Sequence, residues 1–260
     1  MTSSSSRGLL TFRDAAPVRI TNRSGSSLFL LLGDHAGNLV PERLDNLGLA
    51  AQELSRHIAL DIGVSRLGQR LSAILDAPFV EQRYSRLVID CNRQVGHGGS
   101  IAQVCDGTAI PGNIGLSLRS AQERIDAIFL PYHAAIAGLL AERNAAGRAT
   151  ILVSLHSFTP RLGEIDRPWE IGVLHSEGNT RFAQAVLASL QSIEGLTIGD
   201  NEPYRMDETD FTVPSHAFAA KIPYVELEIR QNEIFDERGW ERIARILAQA
   251  MEEAKASPDV

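Results

Sequence analysis

Two histidines in this chain stand where an apolar run turns polar. Residues 28–38, LFLLLGDHAGN, are apolar up to Gly33 and then deliver Asp34 and His35 onto a glycine-loosened turn; residues 149–158, ATILVSLHSF, do the same at His156. Ligands of open α/β sheets bind outside the carboxyl ends of the strands, so two histidines placed this way converge on one crevice. Neutral imidazole is a common zinc ligand, and the pair points to a metal centre. Most of the seven histidines are expected to be ordinary.

Two further stretches carry reactive groups. In RYSRLVIDCNRQ, residues 83–94, strand alternation sets Asp90 and Asn92 on one face, and Arg93 starts the next loop. A planar guanidinium beside an amide donor suits a two-pronged grip on a carboxylate, although an Asp–Arg pair closing a strand end is an equally simple reading. In IPYVELEIRQ, residues 222–231, Val225, Leu227 and Ile229 face one way and Glu226, Glu228 and Arg230 the other. Glu228 then either overhangs the crevice as a general base, steadied by Arg230 or Glu226, or lies on the solvated face of an edge strand.

The elements that must position these groups follow from periodicity. Short β-rich runs at 28–33, 85–91, 150–155, 170–175 and 224–229 alternate with helical stripes at 62–77, 180–193 and 236–254. That alternation predicts an α/β fold with a mixed, mostly parallel sheet covered by helices on both faces. At 260 residues and 44% hydrophobic, without linker or repeat, the chain fits one domain over 9–260 behind a disordered tail at 1–8. Residues 94–118 are glycine-rich and irregular; they suit a lid or pocket wall, with a surface insertion as the alternative.

Composition excludes several functions. A net charge of −7 argues against a polyanion, so no nucleic-acid partner is expected, and a small substrate is. The N-terminus lacks the apolar core of a secretory signal, and no later run resembles a membrane span. Cys91 and Cys105 are too few for a disulfide framework, which suits a cytoplasmic setting. There is no GxSxG elbow, P-loop, GxGxxG or HExxH. Homo-oligomerisation is left open.

Taken in order, DHAGNLVPE, HIALDIGVSRL, RYSRLVIDCNR, PYHAAI, LVSLHSF, NEPY and VELEIRQ make residues 28 to 250 resemble the N-formylglutamate amidohydrolase family, which is related to zinc carboxypeptidases and to the aspartoacylase and succinylglutamate desuccinylase group. The resemblance implies a zinc-carboxypeptidase-like α/β domain and one Zn2+ per chain. His35 and His156 match the two zinc histidines. Asn92 and Arg93, with Asp90, match the motif that binds the substrate α-carboxylate. Arg86, or failing it Arg83, matches the arginine that polarises the scissile carbonyl, and Glu228 matches the late catalytic glutamate. The second ligand departs from the pattern, because an HxxE motif would place a carboxylate where Asn38 stands. Asp61, in HIALDIG, is the expected replacement and Glu42 the alternative. A further cation, Arg119, Arg124 or Arg230, would meet the side-chain carboxylate of a glutamyl substrate.

The activity so implied is hydrolysis of a small N-acyl amino acid, N-formyl-L-glutamate giving formate and L-glutamate, as in histidine degradation. The alternatives are another N-acyl amino acid, or a carboxylate-binding protein that has lost its metal.

Overall fold

The computed structural model describes residues 8–257, so the tail expected at 1–8 lies, apart from Gly8, outside the described residues. Seven strands form the central sheet: β1 (Val18–Thr21), β2 (Phe29–Gly33), β3 (Phe79–Gln82), β4 (Ile151–Phe158), β5 (Ile171–Leu174), β6 (Ile198–Asp200) and β7 (Tyr224–Arg230). Their order is β1-β3-β2-β4-β7-β5-β6. The edge strand β1 runs antiparallel to β3, and β5 runs antiparallel to β7; every other neighbouring pair is parallel. Central strands buried on both faces explain why β2 and β4 read as continuous apolar runs.

Alternation along these strands builds two cores. One face, with Phe29, Leu31, Val153, Leu155, Val225, Leu227 and Ile229, packs under α1 (Val64–Leu75), α4 (Arg181–Gln191) and α5 (Glu237–Lys255). These helices occupy the predicted stripes, and the Asp236 side chain caps α5 by accepting from the Gly239 N–H. The other face, with Leu30, Leu32, Leu152 and Tyr224, packs under a helical run that the periodicity does not foretell. That run starts with α2 (Leu118–Arg124), passes through a π-turn at Ile125–Phe129 and continues as α3 (Leu130–Ala145). By length and composition Leu118–Ala145 is apolar enough to cross a membrane, contrary to the expectation that no run is; here Tyr132, Ile136 and Leu139 are buried beneath it.

The strand expected at 85–91 does not form. β3 lies earlier, at Phe79–Gln82, where it bridges β1 and β2, and the chain then turns, with the Val88 N–H donating to the Ser85 carbonyl. Leu87, Val88 and Ile89 are buried as an irregular segment, so their apolar run mimics a strand. The glycine-rich stretch that follows forms a small hairpin, Val104–Cys105 with Thr108–Ala109. Asn113 pins it by donating to the carbonyls of Leu87 and Ala102.

One glycine of the opening turn is required by space. A Cβ on Gly37 would lie 2.1 Å from the Arg83 carbonyl oxygen, so this turn closes only because residue 37 has no side chain. Gly37→Ala is expected to lower stability by on the order of 1–3 kcal/mol, or several degrees in Tm by calorimetry. An unchanged Tm would show that the turn does not need the close approach.

Candidate active site

The parallel pairing of β4 with β7 sets Ser154 beside Glu226 and His156 beside Glu228, all on the face that β2 extends into Asp34 and His35. At the carboxyl ends of these strands lies a cavity of about 770 Å³, lined among others by His35, Asp61, Arg86, His156, Glu226 and Glu228. On β5, Gly172 faces Glu228, and a Cβ there would lie 2.0 Å from the Glu202 carbonyl oxygen. The segment carrying Asn201–Tyr204 can therefore fold closely over the site.

His35, Asp61 and His156 offer ligand atoms that all lie within 4.8 Å of one another, and all three residues are buried. The Asp61 N–H donates to the His35 carbonyl, which ties the approach to α1 to the His35 turn. Nδ1 of His156 and Nδ1 of His35 stand 3.0 Å and 3.4 Å from Asp61 Oδ2. The opposite nitrogen of each ring is already engaged. His35 Nε2–H donates to Asp90 Oδ1 at 2.7 Å, while His156 Nε2 lies 3.1 Å from Ser154 Oγ and 3.5 Å from Asp34 Oδ2. Asp34 is held in turn by the Tyr132 hydroxyl at 2.5 Å.

This donor set fits a divalent metal. Proton on Nε2 leaves Nδ1 as a lone pair, so two imidazole lone pairs and a carboxylate oxygen face one another in a buried space. Either a proton or a cation must sit among them. Two nitrogens and one oxygen are ligands typical of a catalytic zinc site, which holds three protein groups and keeps one position open.

The electrostatics follow the same logic. Burial works against charge on His156 and His35, yet the surrounding carboxylates raise both pKa values, His156 well above its usual range. Burial would raise the Asp61 carboxyl, but the two imidazoles hold it far below the usual range. Arg86 joins Asp61 to Asp90: Nη1 donates to Asp61 Oδ1 at 3.3 Å, and Nε and Nη2 donate to Asp90 Oδ2 at 3.1 and 2.8 Å. Glu226 and Glu228 each keep one buried oxygen without a partner. Burial pushes both carboxyls up to about 8, against the pull of His156.

The remaining expected residues divide. Asn92 and Arg93 line the cavity, whereas Asp90 stands behind it as the partner of His35 and Arg86. Arg83 points away and donates to the Ala16 carbonyl. Arg230 is turned to Glu233, Asn232 and the Pro168 carbonyl, and Arg124 is buried against Asn113 and the carbonyls of Val88 and Gly112. Arg119 pairs with Glu123 at the surface. None of these four arginines lines the cavity, which receives Arg205 instead. Asn38 donates to the Leu54 carbonyl and Glu42 pairs with Arg13, so neither approaches the cluster.

Side chains to which the sequence pattern assigns no role complete the surroundings. Asp34 adjoins His35, and Tyr132 and Tyr204 lie in the PYHAAI and NEPY segments already singled out. Arg167 donates to the Tyr204 hydroxyl at 2.9 Å and stacks on its ring. Cys105 and Asp106 bring the glycine-rich stretch to the cavity as part of its wall.

Histidines and carboxylates gather at the carboxyl edge of a mixed, mostly parallel sheet, the edge at which α/β proteins bind their ligands. The chain is a member of the N-formylglutamate amidohydrolase family, whose model matches residues 27–235. Gene product Atu2144 of Agrobacterium tumefaciens is similar at 34% identity over 95% of this chain and 98% of that one, with a TM-score of 0.92. The N-formylglutamate amidohydrolase of Ralstonia eutropha JMP134 shares the fold at 18% identity, with a TM-score of 0.67 and coverage of 93% and 98%. No curated protein matches.

His35, His156, Glu226 and Glu228 all hold protons more tightly here than in an unfolded chain. The metal-free protein is therefore most stable in mild acid and loses that contribution as pH rises through about 8, where the two glutamates ionise. A metal competes with these protons, so saturating zinc is expected to raise Tm more at pH 8 than at pH 5.5. Equal shifts at both pH values, or none, would count against a metal held by these residues.

Proposed function

We propose that this chain is a cytoplasmic, zinc-dependent hydrolase of the amide bond in small N-acyl amino acids. The observation that carries the reading is the convergence of His35 Nδ1, His156 Nδ1 and an Asp61 oxygen beside Glu228, a buried carboxylate with an unpartnered oxygen on the cavity wall. A zinc ion held by His35, Asp61 and His156 would supply a water of lowered pKa and polarise the substrate carbonyl. Glu228 takes the proton of the attacking water and delivers it to the leaving nitrogen as the C–N bond breaks.

Arg86 donates to both the Asp61 and Asp90 carboxylates and lines the cavity, where its positive charge would meet charge that develops on the carbonyl oxygen. Asn92 and Arg93 also line the cavity and serve as the substrate-recognition pair. With N-formyl-L-glutamate as substrate, the products are formate and L-glutamate. A second reading keeps the chemistry and changes the amino acid; it is favoured by the carboxylate of Asp210, which already lies on Asn92 and Arg93.

Protein purified without chelator is expected to carry about one zinc per chain, lost in His35→Ala and in His156→Ala. Glu228→Gln should keep the metal and lose roughly 10²–10⁴ in kcat for formate release. A Glu228→Gln variant as active as wild type would remove Glu228 from the reaction. A wild type without metal, even after zinc is added, would favour a binding protein.

A further inference from the structure

Asn92 and Arg93 form a pair of donors that converge on one carboxylate, and the chain itself supplies that carboxylate. Asp210 Oδ1 accepts from Asn92 Nδ2 at 3.1 Å and from Arg93 Nη1 at 3.0 Å, while its Oδ2 accepts from the Asp207 N–H at 3.0 Å. Asn92 has no freedom to turn, because its Oδ1 accepts from the N–H groups of Phe211 and Thr212 at 3.0 and 2.9 Å. Arg93 Nη1 also donates to the carbonyls of Asn92 and Thr209. Its Nε and Nη2 have no partner among the described residues. Asn92, Arg93 and Asp210 all line the cavity.

We infer that Asp210 is a specificity-determining residue that reserves this subsite for a carboxamide or peptide group instead of a free carboxylate. The inference rests on the hydrolase reading above and narrows its substrate class. With Asp210 in place, the wall offers an acceptor beside the unused donors of Arg93. A carboxamide matches both, giving its N–H to Asp210 and its carbonyl to Arg93. A carboxylate can meet only Arg93, and it would lie against the like charge of Asp210. The substrates that fit are N-acyl amino acids whose α-carboxyl is amidated, as in an N-acylated amino acid amide or the start of a short acylated peptide.

The test compares zinc-loaded wild type, Asp210→Ala and Asp210→Ala/Arg93→Ala on N-formyl-L-glutamate and on its α-carboxamide. Wild type should favour the carboxamide by about ten-fold or more in kcat/KM. Asp210→Ala should shift the ratio toward the carboxylate by roughly 100-fold, mainly through KM, because the substrate carboxylate takes the vacated position. The double variant should lose that gain. Asp210→Asn, which keeps an acceptor oxygen and removes the charge, should shift the ratio in the same direction and serves if the alanine variant does not fold. A wild type that prefers the free carboxylate, or an Asp210 variant that slows both compounds equally, overturns the inference and leaves Asp210 as a loop fastener.

Calorimetric titration with L-glutamate separates the two levels of the argument. Should no variant hydrolyse either compound, the hydrolase reading fails. Tighter L-glutamate binding by Asp210→Ala than by wild type, about ten-fold, then still supports the role of Asp210, and unchanged binding refutes it.

Discussion

Two imidazole nitrogens and a carboxylate oxygen held within 4.8 Å in a buried space are electrostatically incomplete without positive charge between them. Much of the architecture serves to hold that arrangement. β2 and β4 are parallel neighbours, so their carboxyl ends deliver His35 and His156 to the same edge of the sheet. The close approach of Gly37 to the Arg83 backbone shapes the turn after β2, and the bond from the Asp61 N–H to the His35 carbonyl brings the third group in from the approach to α1. None of these groups is adjacent in sequence, and the packing of two apolar cores fixes their separation.

Around the cluster, charge is balanced through shared partners. Arg86 serves Asp61 and Asp90, Asp90 serves His35, and Asp34 serves His156 while accepting from Tyr132. Removing one member of such a buried chain leaves its neighbour uncompensated, which costs more than an exposed ion pair contributes. Glu226 and Glu228 stand outside this balance, each with an oxygen that has no partner. Unsatisfied buried carboxyls are tolerated where they act on something that enters the cavity, and here both stand on β7, directly beside the strand bearing His156.

The sequence made the apolar strands legible because they are buried on both faces, and it marked His35, His156 and Glu228 because each interrupts or alternates with an apolar pattern. The helix at Leu130–Ala145 escaped because its residues are apolar around much of its circumference and no stripe stands out. Residues 85–91 misled for the opposite reason: Leu87, Val88 and Ile89 are buried without pairing in the sheet. Arg230 shares its strand face with Glu228, yet it lies at the strand end where Glu233 draws its guanidinium away. The contact of Asp210 with Asn92 and Arg93 joins residues more than a hundred positions apart, and no local pattern announces it.

The central claim is that His35, Asp61 and His156 together hold a zinc ion. Zinc K-edge X-ray absorption of the purified protein tests it most directly. The account predicts a shell of nitrogen and oxygen donors at roughly 2.0–2.2 Å, with the outer scattering of two imidazole rings. A shell containing sulfur at about 2.3 Å, or one without imidazole scattering, would contradict it.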